Sequence, residues 1–153
     1  MRPLKNILFV CTGNSCRSIM AEGYLRKRLE EEGIPAEVRS AGTLGFDGMP
    51  PTKETLIVLQ KEGVDPGDLE SKKLSQELIE WADLILVMEP EHKSRVREIV
   101  PDADGRVRYL GEFNPERADI VIPDPIGRPL AFYRASFRLI RQSAEGLIRW
   151  IKE

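Results

Sequence analysis

The sequence predicts a three-layer α/β/α protein built on a four-stranded parallel sheet. Two observations carry that prediction. Short apolar runs alternate with stretches of helical periodicity along all 153 residues. The runs "NILFV" and "DLILVM" are apolar without polar alternation, the pattern of strands covered on both faces.

Each element then follows in order. Residues 6–10 are the first strand and 18–32 the helix after it. "AEVRSAG" (36–42) is a short second strand ending in a turn. "TKETLIVLQKEG" (52–63) is a helix capped by Thr52 and stopped by Gly63. A short helix over 74–82 has Ser75 as its cap, and 83–88 is the third strand. The helix over 89–100 is ended by Pro101, and "RVRYL" (106–110) is the fourth strand. Residues 116–129 form a loop punctuated by three prolines. The last segment, 130–152, sets Phe132, Phe137, Ile140, Ala144, Leu147, Ile148 and Ile151 on one stripe of a helix. Four strands and about five helices suit a flavodoxin-like strand order, 2-1-3-4. No repeat or linker divides the chain, so residues 1–153 read as one domain. The Pro- and Gly-rich stretches at 42–51 and 112–129 read as functional loops.

Composition excludes several classes. With 41% apolar and 31% charged residues and a formal net charge of −2, nothing draws the chain to nucleic acid. Apolar runs of about five or six residues are too short to cross a membrane. "MRPLKNILFV" does not read as a secretory signal, so the cytoplasm is the expected compartment. Two cysteines build no disulfide framework, and with one distant histidine, His92, they build no zinc site.

Both cysteines lie in one stretch, "VCTGNSCRS" (10–18), between the first strand and its helix. Ligands of such sheets bind at the carboxyl ends of the strands. A loop entering a helix there presents unpaired N–H groups and the positive end of the helix dipole, a setting for phosphate. Gly13 and Asn14 tolerate the backbone angles that a loop of inward-pointing amides needs. Those amides lower a cysteine's pKa, which favours a thiolate at Cys11. Arg17 adds a planar fork matched to two phosphoryl oxygens. Ser18 is placed to donate to the sulfur. Cys16, if the loop brings it near Cys11, is placed to join it in a reversible disulfide. Thiolate attack on phosphorus is the chemistry this suggests. The same residues also suit a buried, inert cysteine, or the FMN-phosphate loop of an electron carrier.

A leaving oxygen needs a proton. Asp124 in "IPDPIGRP" stands out among 25 carboxylates, held by Pro123 and Pro125, with Gly127 turning the chain away. A stiff loop would set it over the phosphate without neutralisation by Arg17. The alternative is a turn or cap for the last helix. His92 falls on a polar helix and reads as solvated; Trp81 and Trp150 read as core.

"VCTGNSCRSIMAE", "RSAGT", "ADLILVM" and "DPIG" together resemble the low-molecular-weight protein-tyrosine phosphatases over essentially the whole chain. The resemblance implies Cys11 as nucleophile, Arg17 as phosphate ligand and Asp124 as general acid. It implies a phosphate-binding loop of Thr12, Gly13, Asn14, Ser15, Cys16, Arg17 and Ser18. Asn14, Ser18 and Ser40 would brace that loop, and Cys16 would be the redox partner. Phosphorylated protein is the implied partner and inorganic phosphate the product, and the resemblance implies no metal and no cofactor. The substrate wall would be Ser15, Phe46 and Ile126, although Phe46 equally suits a plug for its own loop. Typical members carry an aliphatic residue at position 15 and tyrosines after the Asp-Pro pair. Protein-arginine phosphatases with a similar loop carry Thr at position 15, and arsenate reductases of this fold often carry Ser. The reductases need two further cysteines, which this chain lacks. Phosphotyrosine is the expected substrate, with phosphoarginine as the alternative.

Overall fold

In a computed structural model, which describes residues 1–117 and 119–153, four parallel strands lie in the order β2-β1-β3-β4. They are β1 (Asn6–Cys11), β2 (Glu37–Gly42), β3 (Leu84–Val87) and β4 (Val107–Tyr109). The expected order is therefore observed. The helices are α1 (Arg17–Glu31), α2 (Lys53–Lys61), α3 (Gln76–Trp81), α4 (Pro90–Ile99) and α5 (Leu130–Lys152). Short 3-10 turns at Pro101–Arg106 and Leu110–Phe113 flank β4 and were not expected from the sequence. The loop expected over 116–129 includes residue 118, which lies outside the described residues.

The two-sided burial of β1 explains its unbroken apolar run. Ile7, Phe9 and Cys11 pack into the core shared with α1, α2 and α5. Leu8 and Val10 point the other way, into the core with Ile79, Ile85 and Val96. Each such fully buried aliphatic side chain contributes roughly 2 kcal/mol of transfer free energy. Local signals end the helices as expected. Thr52 and Ser75 cap α2 and α3 by accepting the Thr55 and Leu78 amides. Gly63 takes the left-handed backbone after α2, at φ 73°.

Three expected core placements are corrected. Phe132 sits in the first turn of α5 and is 47% exposed, with the Arg128 guanidinium over its ring. Trp81 and Trp150 are only half-buried. They close the rims of the two cores, and each lies under an arginine, Arg39 and Arg2 respectively.

The sheet register delivers the site. Cys11, the last residue of β1, pairs with Gly42, the last of β2. The loop beyond β1 crosses so close to Gly42 that a Cβ there would lie 2.7 Å from the Thr12 carbonyl oxygen. Only glycine fits that approach.

Candidate active site

The loop from Cys11 to Arg17 lines a pocket of about 180 Å³, closed by Leu44, Asp124 and Ile126. Cys11, Asn14, Cys16, Arg17 and Ser18 are all buried. Asn14 carries the left-handed residue of the loop, at φ 54°. Gly13 does not have a positive φ, and a Cβ added to it would meet nothing nearer than the Ser15 hydroxyl at 3.5 Å. The conformational freedom expected of Gly13 is thus supplied by Asn14, whose side chain is fully committed.

That commitment fixes the direction of every proton around the sulfur. The Asn14 amide donates one N–H to Ser18 Oγ at 2.6 Å and the other to Ser40 Oγ at 2.9 Å. Its carbonyl accepts the Lys72 backbone N–H at 2.7 Å. Both serine oxygens accept from Asn14, so their own protons point onward. Ser40 donates to Glu22 Oε1 at 2.5 Å, and Ser18 donates to Cys11 Sγ at 2.8 Å. Glu22 is an anchor that the sequence reading missed; it is buried in α1 and also pairs with Arg26. Burial pushes its carboxyl up, and the bond from Ser40 opposes that.

Burial likewise pushes the Cys11 thiol up. The Ser18 hydroxyl, the Arg17 charge and the Ser18 and Asn14 amides pull it down. The amides therefore act in the expected sense, but desolvation outweighs them, which corrects the expectation of a lowered pKa. Cys16 lines the same pocket from the other side, its thiol directed to Tyr133 Oη at 3.5 Å. Ser15 and Thr52 hydroxyls lie 3.6 and 3.8 Å from that sulfur.

Arg17 is 1% exposed, and a buried cation needs anions and acceptors. It donates to the Ile122 carbonyl at 2.8 Å and pairs with Glu89 at 3.2 Å and with Asp124 at 3.5 Å. Asp124 was expected to escape Arg17; the structure brings them together. Asp124 is one-third exposed at the mouth, and its Oδ1 accepts the Ile126 amide at 3.1 Å. The next turn of chain uses Gly127 at φ 74°, as expected.

Of the expected walls, Ser15 and Ile126 line the pocket and Phe46 does not. Phe46 is 76% exposed, so it does not plug its loop either. Its carbonyl accepts the Ser71 hydroxyl. Leu44, two residues earlier in the loop, supplies the apolar wall instead.

His92 is the second residue missed. Expected in solvent, it is 1% exposed. Its Nδ1 accepts the Met88 and Glu89 amides at 3.3 and 3.2 Å. The ring proton therefore sits on Nε2, which donates to Thr12 Oγ1 at 3.0 Å. Burial and then the Arg17 charge push the imidazole down to about 4. With Glu91, His92 and Glu89 form the one three-residue group of metal-ligand type among the described residues. His92 has both nitrogens engaged in hydrogen bonds, so the group offers no ready ligand set.

A Cys-to-Arg loop thus ends β1, with the Asp124 carboxylate at its mouth. Residues 6–153 match the family described as low molecular weight phosphotyrosine protein phosphatase. The chain belongs to that family. It is a cysteine-dependent phosphatase of the low-molecular-weight type. The phosphatase is 36% identical over 148 residues to a protein-arginine-phosphatase of Geobacillus stearothermophilus, covering 96% of this chain and 93% of the relative. It is 34% identical over 137 residues to the low molecular weight protein-tyrosine-phosphatase Ptp of Acinetobacter johnsonii, covering 90% and 91%. Among solved structures, it superposes at a TM-score of 0.90 on the arginine phosphatase YwlE, in a mutant with a phosphorylated active-site serine. Identity there is 29%, over 97% of both chains.

Proposed function

We propose that this phosphatase hydrolyses phosphotyrosine in proteins through a cysteinyl-phosphate intermediate. The observation that carries the reading is the convergence of Cys11, Arg17 and Asp124 on one small pocket, with the Ser18 proton aimed at the sulfur. Cys11 gives its proton to an oxygen of the bound phosphoryl group and, as thiolate held by Ser18, Arg17 and the loop amides, attacks phosphorus in line. The bond from phosphorus to the tyrosyl oxygen breaks, and Asp124 gives that oxygen its proton. Asp124, now a carboxylate, takes a proton from water, whose oxygen attacks the cysteinyl phosphate. Inorganic phosphate forms and the electron pair returns to sulfur. Arg17 and the loop amides hold the equatorial oxygens in both steps. The Ser18 proton stabilises the sulfur as it leaves.

Leu44 and Ile126 favour a flat aromatic leaving group, because they place apolar side chains at the pocket edge. Phosphoarginine is the second reading. The Ser15 hydroxyl makes one wall polar, and two of the relatives above are named arginine phosphatases. A reducing compartment, the cytoplasm, suits two free thiols on one pocket. There a peroxide oxidises Cys11 to the sulfenic acid; Cys16 attacks that sulfur, water leaves, and the disulfide protects the nucleophile until a thiol reduces it.

The test is kcat/KM on a phosphotyrosine peptide against a phosphoarginine peptide of the same sequence. A higher value on phosphotyrosine is expected. A higher value on phosphoarginine transfers the assignment to the second reading. Near-normal turnover by Cys11→Ser on either peptide overturns both.

A further inference from the structure

We propose that His92 is a positioning residue, holding the Thr12 hydroxyl as a hydrogen-bond donor to an oxygen of the phosphoryl group in the pocket. The inference rests on the phosphatase reading above and adds a residue to it from outside the loop.

Three observations carry it. His92 Nδ1 faces two backbone N–H groups at the start of α4, so it is an acceptor and the neutral ring holds its proton on Nε2. That proton is given to Thr12 Oγ1 at 3.0 Å, so the Thr12 oxygen accepts and its own proton must point elsewhere. Thr12 lines the pocket, and its hydroxyl has no other side-chain partner among the described residues. Directed away from the ring, that proton is free to reach a phosphoryl oxygen held in the pocket that Thr12 lines. A threonine without His92 has a rotating hydroxyl that is as ready to accept as to donate.

The same turn reaches the other side of the site. Glu89, which precedes α4, pairs with Arg17 at 3.2 Å. The first turn of α4 therefore holds two phosphate ligands at once, the guanidinium through Glu89 and the hydroxyl through His92. The Thr12–His92 contact joins residues 80 positions apart in sequence, and like the Arg17–Glu89 pair it depends on β3 lying beside β1.

The experiment uses the full chain, p-nitrophenyl phosphate as substrate and inorganic phosphate as competitive inhibitor. His92→Asn is chosen because the Asn oxygen can take the place of Nδ1 and keep the two backbone bonds, while nothing replaces Nε2. Thr12→Val removes the hydroxyl and keeps the shape. Each single variant is expected to weaken phosphate inhibition and kcat/KM about tenfold, the scale of one hydrogen bond to a charged group. The double variant is expected to lose no more than Thr12→Val alone, because His92 acts through Thr12. The melting temperature at pH 7.5 reports whether His92→Asn still folds as the parent does. If its effect on phosphate affinity multiplies with that of Thr12→Val, or if Thr12→Val binds phosphate as the parent does, the proposal is overturned. A parent that fails to hydrolyse the substrate, or a Cys11→Ser that succeeds, sinks the phosphatase reading itself and is told apart from failure of the His92 step.

Discussion

The base of the pocket and its rim are built on opposite plans. At the base, every side chain is buried and every proton has one direction: Glu22, Ser40, Asn14 and Ser18 form an ordered chain ending on Cys11 Sγ. At the rim, Leu44 and Ile126 are 73% and 52% exposed. Asp124 there is tied by Arg17 and one amide. The base costs a great deal to disturb, because each buried polar group left without its partner loses about 1–3 kcal/mol. Leu44 and Ile126 are cheap to change, whereas Asp124 beside them takes part in the chemistry. Substrate choice is thus set by exposed apolar side chains that tolerate substitution, and the nucleophile is held by a buried network that does not.

The largest effect separates chemistry from binding. Asp124→Ala is expected to lower kcat on a phosphotyrosine peptide by about 10²–10⁴-fold, with KM changed little. Steady-state kinetics checks it; a rise in KM at constant kcat would make Asp124 a binding residue of the rim. Next comes the pH dependence carried by His92. In the folded chain the imidazole stays neutral down to about 4, while the unfolded chain takes up the proton near 6.5. The unfolded state therefore binds more protons in that window, and stability is lost as pH falls through it. The contribution is up to about 3 kcal/mol. Urea titrations of the parent and His92→Asn at pH 7.5 and pH 4.5 isolate it: the parent is expected to lose stability relative to the variant.

At the base, Asn14→Ala is expected to destabilise by about 2–3 kcal/mol, since it strips partners from Ser18, Ser40 and the Lys72 amide and leaves alanine in a left-handed backbone. A loss well under 1 kcal/mol would mean that the chain of protons is not ordered as described. The smallest effect belongs to the rim. Leu44→Ala is expected to raise KM for a phosphotyrosine peptide about three- to tenfold with kcat and melting temperature kept. Ser15→Ile should shift the phosphotyrosine-to-phosphoarginine ratio toward phosphotyrosine.

The base and rim also differ in how much of them the sequence discloses. Cys11, Arg17 and Ser18 lie within one stretch, where spacing alone places them on a loop entering a helix. Asp124 is marked by its flanking prolines. The parallel sheet covered on both faces follows from strands that are apolar without alternation. Glu22, Glu89 and His92 carry no such local mark. Glu22 is one carboxylate among many on an amphipathic helix, and it becomes an anchor only because β2 brings Ser40 beside α1. His92 sits in a polar helix whose periodicity assigns it to solvent, and it is buried because α4 starts against the loop after β1. Leu44 and Phe46 lie two residues apart in one irregular loop. No periodicity says which of them faces the pocket.

The account stands on covalent chemistry at Cys11, and trapping the intermediate tests it most directly. Asp124→Ala mixed with p-nitrophenyl phosphate, whose leaving group needs no acid, forms the intermediate but lacks the base that helps water release it. Rapid quenching and mass spectrometry of the fragments are expected to find one added phosphoryl group on the peptide containing Cys11. Turnover with no adduct at any time point, or an adduct on a peptide without Cys11, would contradict it.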